Sequence, residues 1–309
     1  MKRVKKQLIQ WFIFIILFFV LILSGFFTYI AVQPVYNYFS IKSEFEKIRQ
    51  PNFYAVLNDR NPYELAKGYD KEKLIDFFNY FIETNIQKYI MYSYLPDVNE
   101  KGIEVQKRFA NMIFFNLYDF DLFEGRTFIE TDFVLDDENE IPIIVGYNLK
   151  DIYSLGNTYT FYEEDGEEFK VRVVGVLKKG ANYPSLQDVK ECLDNSYILP
   201  ISDDFQKKYF TLSDYDLAIS TTIFYTENIS ELNDLINEAN KTDFFSLDII
   251  SVEDVLEEYE NYFIFPRYKT IAIFGGISFV LLILVGLDIS FIIKSNKNKV
   301  VISNFKIIC

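Results

Sequence analysis

The chain reads as a membrane protein in which two transmembrane helices flank an α+β extracytoplasmic domain. Three observations predict this class. Each end carries a long uncharged apolar stretch, Lys and Arg gather just outside those stretches, and helix-type and strand-type periodicities alternate between them.

Residues 8–41 contain no Asp, Glu, Lys or Arg, and the run Leu8–Val32 is 25 residues long. About 20 apolar residues suffice to cross a hydrocarbon layer of ~30 Å. Lys2, Arg3, Lys5 and Lys6 would suit the basic head of a cleaved signal peptide. The apolar run is longer than a signal core of ~7–15 residues, however, and Ser24-Gly25 continues into Phe26-Phe27 with no A-x-A-like site, so an uncleaved anchor is expected. The second stretch, Thr270–Leu287, is uncharged and continues past Asp288 through Ile289–Ile293. Asp288 is expected near the cytoplasmic end of that span.

Positive residues favour the cytoplasmic side. The first seven residues hold four basic and no acidic side chains, and Lys294, Lys297, Lys299 and Lys306 follow the second span without an acid. Both termini are therefore expected in the cytoplasm. The expected division is a tail at 1–7, a span at 8–32, an extracytoplasmic domain with flanking stalk helices at 33–266, a span at 267–293 and a basic tail at 294–309. Of 31 basic and 45 acidic residues in the chain, 21 and 44 fall within 8–265, a net charge of −23 for that segment. Such a surface repels nucleic acid and anionic headgroups; its plain reading is solubility.

Between the spans no repeat of fixed period occurs. Asp70–Leu95 reads as a helix, with Leu74, Phe77, Phe78, Phe81, Ile82, Tyr89 and Ile90 at three- and four-residue steps, ended before Pro96. Strands are expected at Ile141–Val145, Thr158–Tyr162 and Phe169–Leu177. The last two form a hairpin through Asp165-Gly166, with Phe169, Val171 and Val173 inward against Lys170 and Arg172 outward. Tyr215–Thr226, Ile229–Asn240 and Leu247–Ile250 read as a β-α-β unit with a right-handed crossover. Asn228 with Glu231 and Ser251 with Asp254 resemble capping boxes. Val35–Arg49 and Val252–Phe263 are expected as stalks, the latter stopped by Pro266.

The chemistry available is limited. With no His there is no Ser-His-Asp or Cys-His arrangement and no His-ligated metal. No P-loop occurs. Asp136-Asp137-Glu138 reads as a solvated acidic loop, and as a Ca²⁺ site it lacks the Gly and terminal Glu of a dedicated loop. Cys192 and Cys309 fall on opposite sides of the membrane on this topology, and Cys192 is expected as a small buried residue. No catalytic, cofactor or metal site is expected, so the chain is not read as an enzyme.

Four short segments carry a resemblance. Leu122-Phe-Glu-Gly125-Arg126-Thr-Phe128 with Asp132 resembles an L-x-x-G-R-x-F segment ahead of an acid. Ile143-Ile-Val-Gly146-Tyr-Asn-Leu149, Leu155-Gly156-Asn-Thr158 and Phe169–Leu177 with Gly175 then follow in the same order. In this order, inside two spans, they are similar to the front part of FtsX-like ABC transporter permeases carrying a MacB-like periplasmic core domain. The resemblance covers about residues 1–300. It implies that Gly125, Arg126, Gly146, Gly156 and Gly175 are structural, that a separate ABC ATPase subunit lies near Lys294, Lys297 and Lys299, and that a dimer forms. Members of the family continue into two further spans, so the resemblance implies a truncated permease or half of a split one. The function it implies is a membrane subunit that couples an ATPase to an extracytoplasmic domain by mechanotransmission. From the residues alone, a two-pass extracytoplasmic sensor or an envelope interaction protein signalling through a partner stays open.

Overall fold

The computed structural model describes residues 2–58, 71–94, 97–98, 102–134, 140–162, 168–186, 189–202, 205–206, 210–242 and 244–305, with the side chains of 2–10, 58, 71, 97–98, 212, 288–289 and 291–305 also outside the description. The chain divides into two compact units, one of residues up to Ser40 with those from Glu258 onward, the other Ile41–Glu257.

Helix α1 (Lys2–Phe45) begins the first unit and contains Pro34 without ending there. Proline removes one helical hydrogen bond, a loss that membrane helices tolerate. Its segment Trp11–Phe45 is long and apolar enough to cross a membrane, and large side chains such as Trp11 (67 % exposed) and Phe19 (61 % exposed) point away from the protein. A water-facing helix with such a surface would be strongly disfavoured.

The Ile41–Glu257 unit follows in order as β1 (Phe53–Asn58), α2 (Lys71–Glu83), β2 (Gln87–Tyr89), β3 (Met91–Ser93), β4 (Asp97–Val98), β5 (Glu104–Ala110), α3 (Met112–Tyr118), β6 (Leu122–Gly125), β7 (Ile141–Val145), β8 (Thr158–Tyr162), β9 (Glu168–Leu177), β10 (Asn182–Tyr183), β11 (Glu191–Cys192), β12 (Ser196–Pro200), α4 (Leu212–Ser220), β13 (Ile223–Tyr225), α5 (Ile229–Asn240), β14 (Leu247–Ser251) and α6 (Val252–Tyr259). One antiparallel sheet has the order β14-β1-β13-β2; a mixed eight-stranded sheet runs β3-β5-β12-β7-β9-β6, with β4 on β5 and β8 on β9; β10 and β11 pair separately. The α+β class is as the sequence predicts. A single apolar core joins α2 (Leu74, Phe77, Phe78, Phe81) to residues of both larger sheets, including Phe224, Phe109, Ile143 and Val171. Each such side chain contributes about 2 kcal/mol by leaving water.

The β8–β9 pairing is antiparallel from Thr158↔Arg172 to Tyr162↔Glu168, as expected of a hairpin. Phe169, Val171 and Val173 are buried while Lys170 and Arg172 are exposed. The turn Glu163–Gly166 and the acidic triplet Asp136–Glu138 lie outside the described residues. Strand β9 holds β8 along its first half and β6 along its second, with β7 parallel on its other edge.

Several expectations need correction. The helix expected over Asp70–Leu95 ends at Glu83, and Tyr89 and Ile90 belong to the strand region that follows. Their three- and four-residue spacing continues the helical rhythm by coincidence, while β2 pairs with β13. Tyr215–Thr226 is mostly helix: Thr211 accepts from the Asp214 backbone N–H (3.3 Å), the Asp214 carboxylate accepts from the Thr211 backbone N–H (2.8 Å), and this capping box opens α4. Only Ile223–Tyr225 is strand. β13 and β14 are both antiparallel to β1, so they run parallel to each other with one strand between them. Asn228 and Ser251 do cap their helices. Cys192 is exposed, because β11 is a two-residue strand on β10.

After α6 the chain widens into a π-helical turn (Glu260–Ile264) and continues as α7 (Phe265–Phe305), so Pro266 does not stop the helix. A proline cannot bond the carbonyl four residues back and its ring crowds it; the wider turn just before Pro266 relieves both. Within this first unit, Ser24 Oγ donates to the Phe274 carbonyl (2.8 Å) and lies 2.6 Å from Ser278 Oγ, while the Phe27 and Phe274 rings stack at 5.1 Å. Small polar residues bonding across apolar helices are a common means of association in lipid. Tyr38 donates to the Glu260 carboxylate.

Candidate functional site

The residues singled out by pattern converge on the far edge of the mixed sheet. β6 ends at Gly125, whose φ of +80° is a left-handed value that suits glycine. A methyl group on Gly125 would lie 2.4 Å from the Val174 carbonyl oxygen and 2.8 Å from Gly175 Cα. One on Gly175 would lie 2.4 Å from the Arg126 carbonyl oxygen. The two glycines therefore let β6 and β9 approach more closely than side chains permit. The Arg126 backbone N–H donates to the Val174 carbonyl (2.9 Å) and that of Gly156 to the Val173 carbonyl (2.8 Å), so the 155–158 segment closes on the same stretch of β9.

Arg126 forms two bonds to Asp132, Nη1 to Oδ2 at 2.5 Å and Nη2 to Oδ1 at 2.9 Å. Asp132 Oδ2 also accepts from the Ile129 backbone N–H (2.9 Å), which fixes the short turn that follows. Hydrogen bonding to Asp132 holds the Arg126 guanidinium above its usual pKa, against a smaller opposing effect of burial. Phe128, between them in sequence, is buried edge-on against Phe115 and Phe133. The L-x-x-G-R-x-F pattern and its acid are thus one turn: glycine for close approach, arginine and aspartate for the loop, phenylalanine as its anchor.

An open hollow of about 760 Å³ adjoins this turn, lined by Arg126, Asp132, Glu140, Leu155 and Arg172 among others. Thr158 donates to Glu140 (2.8 Å). Nothing in this set resembles a nucleophile with its base. Among the described residues no three His, Cys, Asp or Glu side chains gather as metal ligands.

Gly146 belongs elsewhere. A methyl group there would lie 2.0 Å from the Leu193 carbonyl oxygen, so it serves the contact between the end of β7 and the turn before β12. Gly156, at φ +79°, has open space around it and is a turn residue. Lys294, Lys297 and Lys299 lie on α7, with their side chains outside the described residues.

Sequence reasoning missed Arg108. It is 1 % exposed on β5 and donates to Ser196 Oγ (3.0 Å), the Tyr183 hydroxyl (2.9 Å), Gln106 Oε1 (2.5 Å) and Glu191 Oε2 (2.9 Å). A buried cation is tolerable only with such saturation. No periodicity marks it, since Lys107 and Arg108 look alike as polar strand residues. Also unforeseen, burial raises the Tyr118 pKa, and its hydroxyl has no hydrogen-bond partner among the described residues.

No protein family's profile matches the chain, and no curated protein does. Solved structures similar to it include the extracellular domain of the noncanonic ABC-type transporter YknZ from Gram-positive bacteria, at 15 % identity and TM-score 0.37 over 64 % of this chain and 100 % of that one. Another is the periplasmic region of MacB from Actinobacillus actinomycetemcomitans, at 15 % identity and TM-score 0.40 over 70 % of this chain and 95 % of that one.

Proposed function

We propose that the chain is the membrane subunit of an ABC-type transporter or mechanotransmission complex, with both termini in the cytoplasm, the domain at 33–266 outside, and a separate ATPase as partner. One observation carries the reading: α1 runs without a break from Lys2 to Phe45, so the membrane-length stretch and the first stalk are one rod. The chain from Val252 to Phe305 is likewise helical throughout, with a single π turn. Rods of this kind pass an axial displacement from one end to the other, where a jointed connection would absorb it. The basic flanks at both ends favour the stated orientation. Within 8–32 and 270–293 Asp288 is the one Asp, Glu, Lys or Arg, whereas ion and solute routes are marked by ionisable groups inside the spans, which favours transmission of motion over conduction. The Gly125–Arg126–Asp132 turn would keep the moving domain rigid.

Purification of the native protein in mild detergent tests this. An ATPase bearing a P-loop should accompany it, and protease added to spheroplasts should digest the acidic domain while sparing both tails. Recovery of a signalling kinase in place of an ATPase would replace this reading with a sensor, and protection of the acidic domain would overturn the orientation.

A further inference from the structure

A second cavity, of about 350 Å³, lies inside the Ile41–Glu257 unit, between β1, β2 and β13 of the antiparallel sheet and β3 of the mixed sheet. Its size is at the lower end of the ~300–1,000 Å³ usual for small-molecule sites. Val56, Met91, Phe114, Leu217 and Ile223 supply apolar lining. Tyr183–Leu186 and Glu191, from the paired strands β10 and β11 and the residues after β10, border it.

Two features define what such a space accepts. The first is charge. Among the described residues Glu191 is the one charged side chain on the lining, and it is ion-paired at 2.9 Å with Arg108, which is itself 1 % exposed. The pair is neutral as a whole, so a charged ligand would be desolvated without a counter-charge. The second is hydrogen-bond polarity. At the C-terminal end of α4 the hydroxyls of Thr221 and Thr222 donate to the carbonyls of Leu217 (2.8 Å) and Ala218 (2.5 Å), and Ser220 Oγ to Asp216 (3.2 Å). With their protons committed, the Thr221 and Thr222 oxygens can only accept further hydrogen bonds, and the negative end of the helix dipole adds to this. That pole accepts hydrogen bonds and has little to donate.

We propose that this cavity is a binding site for an uncharged amphiphile with an aliphatic body and a hydrogen-bond-donating head, a hydroxyl or primary amide. The body lies between Val56, Ile223 and Met91, and the head donates to the α4 pole. Arg108 acts as a positioning residue, since its bonds to Tyr183 and Glu191 hold both strands of the bordering hairpin. This site is independent of the ATPase coupling proposed above.

Photolabelling of the full chain in phosphatidylglycerol nanodiscs tests the assignment, with three diazirine probes of equal chain length: an alcohol, a carboxylic acid and an alkylammonium. The alcohol should label Met91, residues 183–186 or residues 217–223 at least tenfold more than either charged probe, as mapped by mass spectrometry. Ser93→Trp, which fills the cavity, should abolish that labelling while labelling of the spans persists. Thr221→Val, which removes one acceptor and little volume, should reduce it severalfold. Labelling confined to the spans, or equal labelling by the acid, would overturn the proposal. Preference for the alkylammonium would overturn the uncharged class and make Glu191 a counter-ion. Should Ser93→Trp fail to fold, Leu57→Trp fills the same space from an exposed position, and the comparison of probes on the parent chain stands without either variant.

Discussion

Glycine does opposite work in the two units. In the Ile41–Glu257 unit, Gly125, Gly146 and Gly175 each sit where a methyl group would lie 2.0–2.4 Å from a backbone oxygen. In the membrane-length helices, Gly25, Gly275, Gly276 and Gly286 have nothing within 4 Å of that position. The first set is required because two backbones touch. The second leaves shallow notches along helices whose mutual contact is made instead by Ser24, Phe27, Phe274 and Ser278. Burial of backbone against backbone, and not the residue type, decides what a glycine is for.

The contrast can be broken most directly at Gly146. Gly146→Ala should cost ~3 kcal/mol, because the obstructing atom is a carbonyl that cannot rotate away. A denaturant midpoint equal to that of the parent chain would show that the β7–β12 contact yields. Arg108→Met should cost about 2 kcal/mol, less than the loss of a fully buried partner, since the orphaned Glu191 side chain is 24 % exposed and can take up water. Asp132→Asn keeps an acceptor for Ile129 and loses the ionic part of a pair whose Arg126 side chain is 45 % exposed and whose Asp132 side chain is 8 % exposed, so a loss of ~1 kcal/mol is expected in the same titration. Gly275→Ala should be the mildest, within about 0.5 kcal/mol of zero. If that variant instead dissociated an oligomer seen by crosslinking, the notch would be occupied by another helix and the contrast between units would narrow.

The sequence exposed part of this. The β8–β9 alternation was legible because β9 buries one face in its first half and leaves the other in water, which is the condition for a clean period of two. Arg126 with Asp132 was visible as a pattern, though not as an ion pair. Residues 84–93 were misread because two short strands of three residues each carry too few positions to show a period, and Tyr89 and Ile90 happen to continue the rhythm of α2. Tyr215–Thr226 was misread because aromatic and β-branched residues outweighed the Thr211–Asp214 cap. Pro266 reads as a terminator in the sequence because a π turn leaves no mark in composition. Arg108 was invisible for a different reason: its neutralising partners lie 75, 83 and 88 residues away, so only the folded chain brings them together.

β9 is gripped on both sides for most of its length, by β7 on one edge and by β8 and then β6 on the other. Its central part, Val171–Val176, cannot peel off alone, since opening there must break bonds on both edges, whereas Glu168–Lys170 pair with β8 only. Its amide protons at Val171 and Val176 should therefore be among the last to exchange with deuterium, and should report the global stability of the unit when those of short single-edged strands such as β11 report only local fraying.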